Sequence, residues 1–214
     1  MKQVRYFLLL ISLLGGLAPS LTHAGIYDDM LAAVTSGDNA QVMSLLQRGM
    51  DVNTADPSGN TLLMLAARNG NQELVEYLLK SRANVSKRNR VGDSALMFAA
   101  YGGHLEILRR LLDAGAEISG SGWNALHYAA YGGHGEIVKA LILRKADLDA
   151  RAPNGQTALM LAAGAGHLEV VRLLIDADAD MDIEDYEHVS ALKLADKRGH
   201  KAIAEFLRTS GAEE

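Results

Sequence analysis

The chain has 214 residues, of which 22 % are charged, 5 % are aromatic and none is cysteine. This length is enough for one sizeable domain, and the composition predicts an aliphatic core and excludes a disulfide-stapled fold. The formal net charge of −5 argues against a nucleic acid as the partner, because phosphate contact needs a basic face.

Residues 1–24 are predicted to be a secretory signal peptide that is removed and does not enter the fold. A positively charged start precedes an apolar run over residues 6–14, and small residues then lead to a predicted cleavage point between Ala24 and Gly25. An uncleaved membrane anchor is the alternative, but a bilayer span needs about 20 apolar residues. We therefore expect no stable membrane insertion after cleavage.

Export would leave residues 25–214 as the mature protein. Removal of Lys2 and Arg5 leaves 19 of the 21 basic residues against 26 acidic ones, so the mature chain would carry a formal charge of −7. The short leader and the compact size favour a bacterial periplasm, with full secretion as the alternative.

The mature chain is predicted to contain six copies of one motif. The clearest copy starts at Gly155 and reads GQTALMLAAGAGHLEVVRLLIDADADMD. An Ala-Ala pair marks the register at Ala66-Ala67, Ala99-Ala100, Ala129-Ala130 and Ala162-Ala163, and one step of 33 residues in each direction reaches Ala33 and Ala195. The predicted repeats lie near 26–58, 59–91, 92–121, 122–154, 155–187 and 188–214. A fixed period of this length indicates a stacked repeat array.

Each copy is predicted to form two short helices. In the clearest copy, Thr157 is placed to cap a helix from Ala158 to Ala165, and a second helix covers about His167 to Ala177. One such pair cannot bury its own apolar face, so neighbouring copies must stack. The predicted fold class is an all-α repeat array, an α-solenoid.

The starts of the first helices resemble those of the ankyrin repeat family, which has Thr-Pro-Leu-His there. The matching segments are Thr61-Leu62-Leu63-Met64, Ser94-Ala95-Leu96-Met97, Asn124-Ala125-Leu126-His127 and Thr157-Ala158-Leu159-Met160. The pairs Gly103-His104, Gly133-His134 and Gly166-His167 also match. No copy has the family's Pro and only one keeps its His. The resemblance implies helix-turn-helix repeats with projecting hairpin fingers, acting as a monomer that binds another protein.

The two end units and the third finger depart from the common pattern. The first unit carries Asp28 and Asp29 where we expect a helix to start, since acids suit the positive end of a helix. The connection between Ala116 and Trp123 is three residues shorter than its counterparts, which predicts a blunted finger above a continuous helix stack. A notch that accommodates a partner and a neutral deletion in a surface loop are both open interpretations.

The sequence contains no pattern that indicates catalysis, and we expect no enzyme activity, metal or cofactor. Four of the six histidines of the mature chain occupy the same slot after a glycine, one per repeat, which favours helix capping and hydrogen bonding between repeats over shared metal ligation. The alternative hypothesis is a metal- or haem-dependent enzyme or a protein that protects against oxidants.

The resemblance to ankyrin arrays locates a partner-binding surface at the finger bases and after each Ala-Ala pair. The predicted binding residues are Arg68, Asn69, Arg90, Asp93, Tyr101, Trp123, Tyr131, Asn154, Gln156, Tyr186, Lys197 and Arg198. Tyr101 and Tyr131 occupy the same slot in adjacent repeats, so we expect them to stand side by side, with Trp123 next to them. Trp and Tyr dominate interface hot spots, which makes these three the predicted centre.

The fingers show a predicted charge gradient along the array. Lys87, Arg88 and Arg90 lie in the second finger, and the fifth finger carries the acids Asp182, Glu184, Asp185 and Glu187. Either the gradient has no role or it orients a partner of opposite charge order. The sequence thus predicts a non-catalytic protein-binding module of the bacterial envelope, which would bind an exported partner as an accessory protein, an immunity protein or a scaffold.

Overall fold

The computed structural model describes residues 23–120 and 122–212, and these residues form twelve helices. The helices are His23–Ser36 (α1), Asn39–Gln47 (α2), Leu62–Arg68 (α3), Gln72–Lys80 (α4), Ala95–Tyr101 (α5), Leu105–Asp113 (α6), Ala125–Gly132 (α7), Gly135–Leu143 (α8), Ala158–Ala165 (α9), Leu168–Ile175 (α10), Ala191–Arg198 (α11) and Lys201–Thr209 (α12). The predicted all-α fold is confirmed.

The helices are arranged as six pairs in two layers. The first helices of successive pairs pack on one another in chain order, from α1 through α3, α5, α7 and α9 to α11. The second helices form the other layer in the same order, and each also packs on the first helix of its own pair. Each pair packs on its neighbours, and one buried apolar cluster runs from Met30 in α1 to Leu207 in α12, so the core is continuous along the array.

Small residues set the spacing between the first helices. All eight alanines of the four Ala-Ala pairs are fully buried, and the predicted extensions of the register at Ala33 and Ala195 are buried as well. Leucines such as Leu78, Leu108 and Leu141 fill the space beneath the second helices and have no exposed surface. Alanine lets neighbouring helix backbones approach, and leucine supplies most of the apolar area.

Polar residues start the first helices as predicted. Thr61, Ser94, Asn124, Thr157 and Ser190 are the N-caps, and each side-chain oxygen accepts a hydrogen bond from the backbone N–H three residues later. In two repeats a second hydrogen bond completes a capping box. The sulfur of Met64 accepts from the N–H of the N-cap Thr61, and the sulfur of Met97 from that of Ser94, both at 3.4 Å. The thioether of methionine is therefore the hydrogen-bond acceptor at the position where the family motif has a histidine.

The recurring histidines tie adjacent repeats together. His104, His134, His167 and His200 precede the second helices but make no side-chain bond to their own helix, so the predicted capping role is wrong. Their Nε2 atoms instead contact backbone carbonyls at the end of the preceding repeat's first helix, at 2.9–3.2 Å. The predicted hydrogen bonding between repeats is confirmed.

The first helix begins earlier than the sequence suggested. α1 starts at His23, so Asp28 and Asp29 are exposed residues beyond its first turn, and the prediction that they mark the helix start is wrong. The predicted cleavage point after Ala24 falls in the first turn of α1, whereas residues 1–22 of the predicted signal peptide (1–24) lie outside the described residues. None of the described helices has the length and apolar character needed to cross a bilayer.

Candidate functional site

Four aromatic side chains from two adjacent repeats form one cluster. Tyr101 ends α5, Trp123 precedes α7, and Tyr128 and Tyr131 lie on α7. The Trp123 ring centroid lies 5.1 Å from that of Tyr128 and 5.8 Å from that of Tyr131, and Tyr128 is 5.8 Å from Tyr101. Interplanar angles of 55–79° make these edge-to-face and tilted contacts, which aromatic pairs prefer. We call these four residues the aromatic cluster.

The aromatic cluster presents its outer members to solvent. Tyr101 and Tyr131 are 52 % and 49 % exposed, whereas Trp123 and Tyr128 are half-buried beneath them. We expected Tyr101 and Tyr131 to stand side by side. The ring contacts connect them through Tyr128, which contacts Tyr101, and Trp123, which contacts Tyr131. Sequence reasoning missed Tyr128 because its slot holds Leu65, Phe98 and Leu161 in other repeats and reads as core.

A carboxylate fixes the inner edge of the cluster. The Tyr128 hydroxyl donates a hydrogen bond to Oδ1 of Asp93, 2.9 Å away, which joins two repeats. Burial raises the pKa of Tyr128, and the hydrogen bond and negative charge of Asp93 raise it further, so the phenol stays protonated. Asp93 is itself held by its backbone N–H, which donates to Oδ1 of Asn89 at 2.8 Å.

Two open cavities share the wall formed by Trp123 and Tyr131. The first has a volume of about 450 Å³ and is lined by the whole aromatic cluster together with Val91, Gly92, Asp93, Gly122 and Pro153. The second, of about 750 Å³, continues towards α9 and α11 and is lined by polar groups that include Gln156, His167 and Arg198. Trp123 and Tyr131 thus form a ridge with space on both sides.

Comparison with protein families decides the identity of this stacked arrangement. The model described as ankyrin repeats (3 copies) matches residues 30–121, 81–152 and 126–214. The chain belongs to the ankyrin repeat family. A search of curated proteins found no match. Ankyrin repeats are interaction modules, generally without catalysis, so the array is a protein-binding module and the surface around the aromatic cluster is its candidate site.

Several other predicted binding residues are engaged inside the ankyrin array. The Arg68 guanidinium lies 5.8 Å from the Phe98 ring centroid, which places a cation over an aromatic face of the next repeat. Asn69 donates through Nδ2 to the Val34 carbonyl at 3.4 Å, and Gln156 donates through Nε2 to Asp185 at 3.4 Å. These contacts tie repeats together, and binding to a partner stays a prediction for them.

The remaining predicted residues are more accessible. Tyr186 is 66 % exposed, and its backbone N–H donates to the Asn154 carbonyl at 3.3 Å. Arg90 is an exposed residue of the second finger, and Lys197 and Arg198 are exposed in the last turn of α11. Their positions suit a partner contact, which stays a prediction.

Some charges of the predicted gradient are engaged in contacts within the array, and the gradient itself stays a prediction. Arg88 donates to the Gly92 carbonyl at 2.9 Å and to the Ser119 carbonyl of the third finger at 3.0 Å. In the fifth finger, Glu184 pairs with Lys193 at 2.7 Å, and the buried Asp185 accepts from the backbone of its own turn. These charges hold the fingers of the ankyrin array and do not all face a partner.

The short third finger does not interrupt the ankyrin stack. α7 packs on α5 and α8 packs on α6, as predicted for a blunted finger above a continuous stack. The Arg88 guanidinium reaches across to the third finger, and a Cβ atom added at Gly120 would overlap this guanidinium. A side chain there would displace the guanidinium, which explains why glycine suits this position.

Metal ligation finds no support among residues 23–120 and 122–212. No group of three or more His, Cys, Asp or Glu side chains in these ranges is placed to hold an ion. The four histidines between repeats are occupied by carbonyl contacts, one in each of four of the five junctions. The described part of the array therefore offers no observation that supports the hypothesis of a metal-dependent enzyme.

The buried His127 is held as a neutral imidazole. Its Nδ1 accepts a hydrogen bond from the Asn124 N–H at 3.1 Å, and its Nε2 lies 3.0 Å from the Ala150 carbonyl. An acceptor at Nδ1 requires the tautomer that carries its proton on Nε2, which then donates to Ala150. Burial lowers the pKa of His127 below its ordinary value of 6.5 and outweighs the opposing hydrogen bond to Ala150.

Acidification should therefore destabilise the ankyrin array through His127. A folded-state pKa below the unfolded value means that the unfolded chain binds more protons in this range. The stabilising contribution is complete above about pH 6.5 and is lost as the pH falls through that value, by at most about 1.4 kcal/mol per pH unit. Urea denaturation followed by circular dichroism between about pH 7.5 and 5.5 measures the slope.

The variant His127→Met is the matched control for this pH dependence. Methionine occupies the same slot in three other repeats, at Met64, Met97 and Met160, so the helix start should tolerate it. The variant should show a shallower loss of stability on acidification than the wild type. Identical slopes in the two proteins would contradict the role of His127.

Proposed function

We propose that the protein is an exported ankyrin array that binds another exported protein, with the aromatic cluster at the centre of its concave face. One observation carries this proposal: four aromatic rings from adjacent repeats form an accessible cluster between two cavities. Aromatic side chains bury a large area with little loss of side-chain entropy, which is why they anchor protein interfaces. Neither cavity needs to close for such binding.

Rigid presentation is the proposed mechanism. The first and second fingers are joined by the Arg90 N–H, which donates to the Ser58 carbonyl at 3.0 Å, and the fourth and fifth fingers by the Tyr186 N–H and Asn154 carbonyl. Side chains and backbone that are already fixed lose little further freedom on binding. The array therefore supports recognition by shape, with no chemical step.

The proposed location is the bacterial periplasm or the outside of the cell, after cleavage between Ala24 and Gly25. Within that compartment, two roles fit a binding module: inhibition or protection of an exported enzyme or toxin, and scaffolding of an envelope complex. The acidic balance of the chain favours a protein over a nucleic acid as the partner.

Capture of the partner tests the proposal. The full chain with a C-terminal tag is expressed in its own host, and proteins retained from the periplasmic fraction are compared between wild type and the double variant Trp123→Ala with Tyr131→Ala. We expect the double variant to lose a partner that the wild type retains, because the anchoring rings are gone. The retained partner is then purified and its direct binding to both proteins is measured.

The variant Leu143→Ala is the control for general loss of apolar surface. Leu143 is 82 % exposed at the end of α8, in the layer of second helices and away from the aromatic cluster. It should retain the partner at the wild-type level, and circular dichroism should show unchanged helix content in all variants. A partner retained equally by the double variant and the wild type would remove the aromatic cluster from the function.

A further inference from the structure

We infer that the cavity lined by the aromatic cluster and Asp93 receives a positively charged side chain, arginine or lysine, from the partner protein. We call it the aromatic cavity. This inference rests on the proposed function and specifies the chemistry that the partner must present. The lining combines four aromatic rings with one carboxylate, and it spans the junction of two repeats.

Aromatic rings give the cavity its affinity for a cation. The face of an indole or phenol ring carries partial negative charge, and a cation within about 6 Å of the ring centre is attracted to it. The rings of Trp123, Tyr128 and Tyr131 meet at angles of 55° and 70°, so each contact joins the edge of one ring to one face of its neighbour and leaves the opposite face of that neighbour free of the contact. Several such faces around one volume favour a flat guanidinium or an ammonium group.

Asp93 supplies the full negative charge. Its Oδ1 accepts the hydrogen bond from the Tyr128 hydroxyl at 2.9 Å, and its backbone is fixed by Asn89. A carboxylate accepts several hydrogen bonds through two oxygens, so acceptor capacity remains for a donor from outside. A charged donor paired with a carboxylate makes a stronger hydrogen bond than a neutral one, which favours a cation over a neutral amide.

The described lining contains no basic side chain that would neutralise Asp93. Val91, Gly92, Gly122 and Pro153 complete the lining, and the nearby Arg88 is held by the carbonyls of Gly92 and Ser119. The neighbouring cavity beyond Trp123 differs, because Arg198 is among its lining residues. Charge therefore distinguishes the two sides of the ridge, and only the Asp93 side suits a basic group.

The opening of the cavity favours a side chain from a protein over a small enclosed ligand. Tyr101 and Tyr131 stand about half exposed at its rim, and Val91 is 81 % exposed beside them. A volume of about 450 Å³ in an open cleft accepts a long side chain while the partner backbone stays outside. The apolar rim would then contact the methylene groups of the same side chain.

Titration with ethylguanidinium tests the inference directly, with neutral ethylurea as the matched control. Trp123 is the only tryptophan of the chain, so its fluorescence and its indole N–H resonance report on this cavity. Saturable changes with ethylguanidinium but not with ethylurea are expected. The variant Asp93→Asn keeps an acceptor for Tyr128 and removes the charge, so it should weaken ethylguanidinium binding about tenfold or more.

The same variant separates this inference from the proposed function. In the capture experiment, Asp93→Asn should lose the partner while Leu143→Ala retains it, and replacing the docked arginine or lysine of the identified partner should have the same effect. Equal changes in the Trp123 signals with ethylguanidinium and with ethylurea would overturn the inference. So would an Asp93→Asn variant that retains the partner at the wild-type level. If only the Trp123 and Tyr131 double variant loses the partner, the proposed function stands and the cationic contact fails.

Ethylguanidinium binding that depends on Asp93, combined with a partner whose basic residues can all be replaced without effect, would also overturn the inference. That outcome would assign the cavity to a free small cation. Helix content measured by circular dichroism and the melting curve of Asp93→Asn establish that the variant is folded, so a loss of binding reports on the charge.

Discussion

Replacing Gly133 by alanine should lower the free energy of unfolding by about 2–3 kcal/mol, for two separate reasons. Gly133 ends α7 with φ 73°, a left-handed conformation that costs a residue with a Cβ atom about 1–2 kcal/mol. An added Cβ atom would also stand 2.6 Å from Nδ1 of His167, so the imidazole must move and its contact with the Tyr131 carbonyl is lost. Urea denaturation followed by circular dichroism measures the change.

Two other glycines separate these causes. Gly115 has φ 88°, but nothing lies within 4 Å of an added Cβ atom, so Gly115→Ala should show the backbone cost alone. Gly164 lies in α9 with nothing within 4 Å, and Gly164→Ala should stabilise by about 0.5–1 kcal/mol. If Gly133→Ala costs no more than Gly115→Ala, the histidine contact contributes nothing. In a chain that already carries His167→Ala, the change Gly133→Ala should cost no more than Gly115→Ala, because the histidine contact is already absent.

The sequence alone predicted the helices well, because their signals are local and repeated. The Ala-Ala register, the polar N-caps and the glycines recur in phase, so each copy supports the assignment of the others. The predicted helix Ala158–Ala165 is α9 with the same bounds, and the second helix of that repeat is only slightly shorter than predicted. A single copy would have been ambiguous, because segments of eight residues carry a weak periodic signal.

The candidate site was predicted only in part, because its contacts join residues from different repeats. Tyr101, Trp123 and Tyr131 were predicted because they stand at slots that the resemblance to ankyrin arrays assigns to partner binding. Tyr128 stands at a core slot, and its bond to Asp93 spans 35 positions of the chain. Asp93 was among the predicted binding residues, but nothing local marks its pairing with Tyr128, so its place within the aromatic cavity could be recognised only from the fold.

The finger charges show a second limit of sequence reasoning. Arg88 and Glu184 look like surface charges in a polar connection, yet one bridges two fingers and the other pairs with Lys193. A charge count along the chain cannot distinguish a side chain that meets a partner from one that satisfies a neighbouring carbonyl. The described contacts therefore leave the aromatic cluster, whose three predicted members were already the expected centre, as the main part of the binding hypothesis.

Replacing Ala129 by leucine should destabilise the array by about 1–3 kcal/mol or more, through overpacking of the first-helix layer. Ala129 has no exposed surface, and it lies in α7, which packs on both α5 and α9. The larger leucine side chain does not fit between first helices whose backbones approach closely over small residues. Either the helices must separate or the leucine must leave its preferred rotamer. Thermal and urea denaturation provide the measurement.

Glu136→Ala in the next helix is the control, because Glu136 is exposed and forms a surface ion pair with Lys139 at 2.6 Å. An exposed pair of this kind contributes little, so the variant should remain close to the wild type. Because the repeats depend on their neighbours, separation of α7 from α5 and α9 should also disturb the aromatic cluster, which Trp123 fluorescence would report. A stable Ala129→Leu variant would contradict the close helix packing on which both the fold and the placement of the cluster depend.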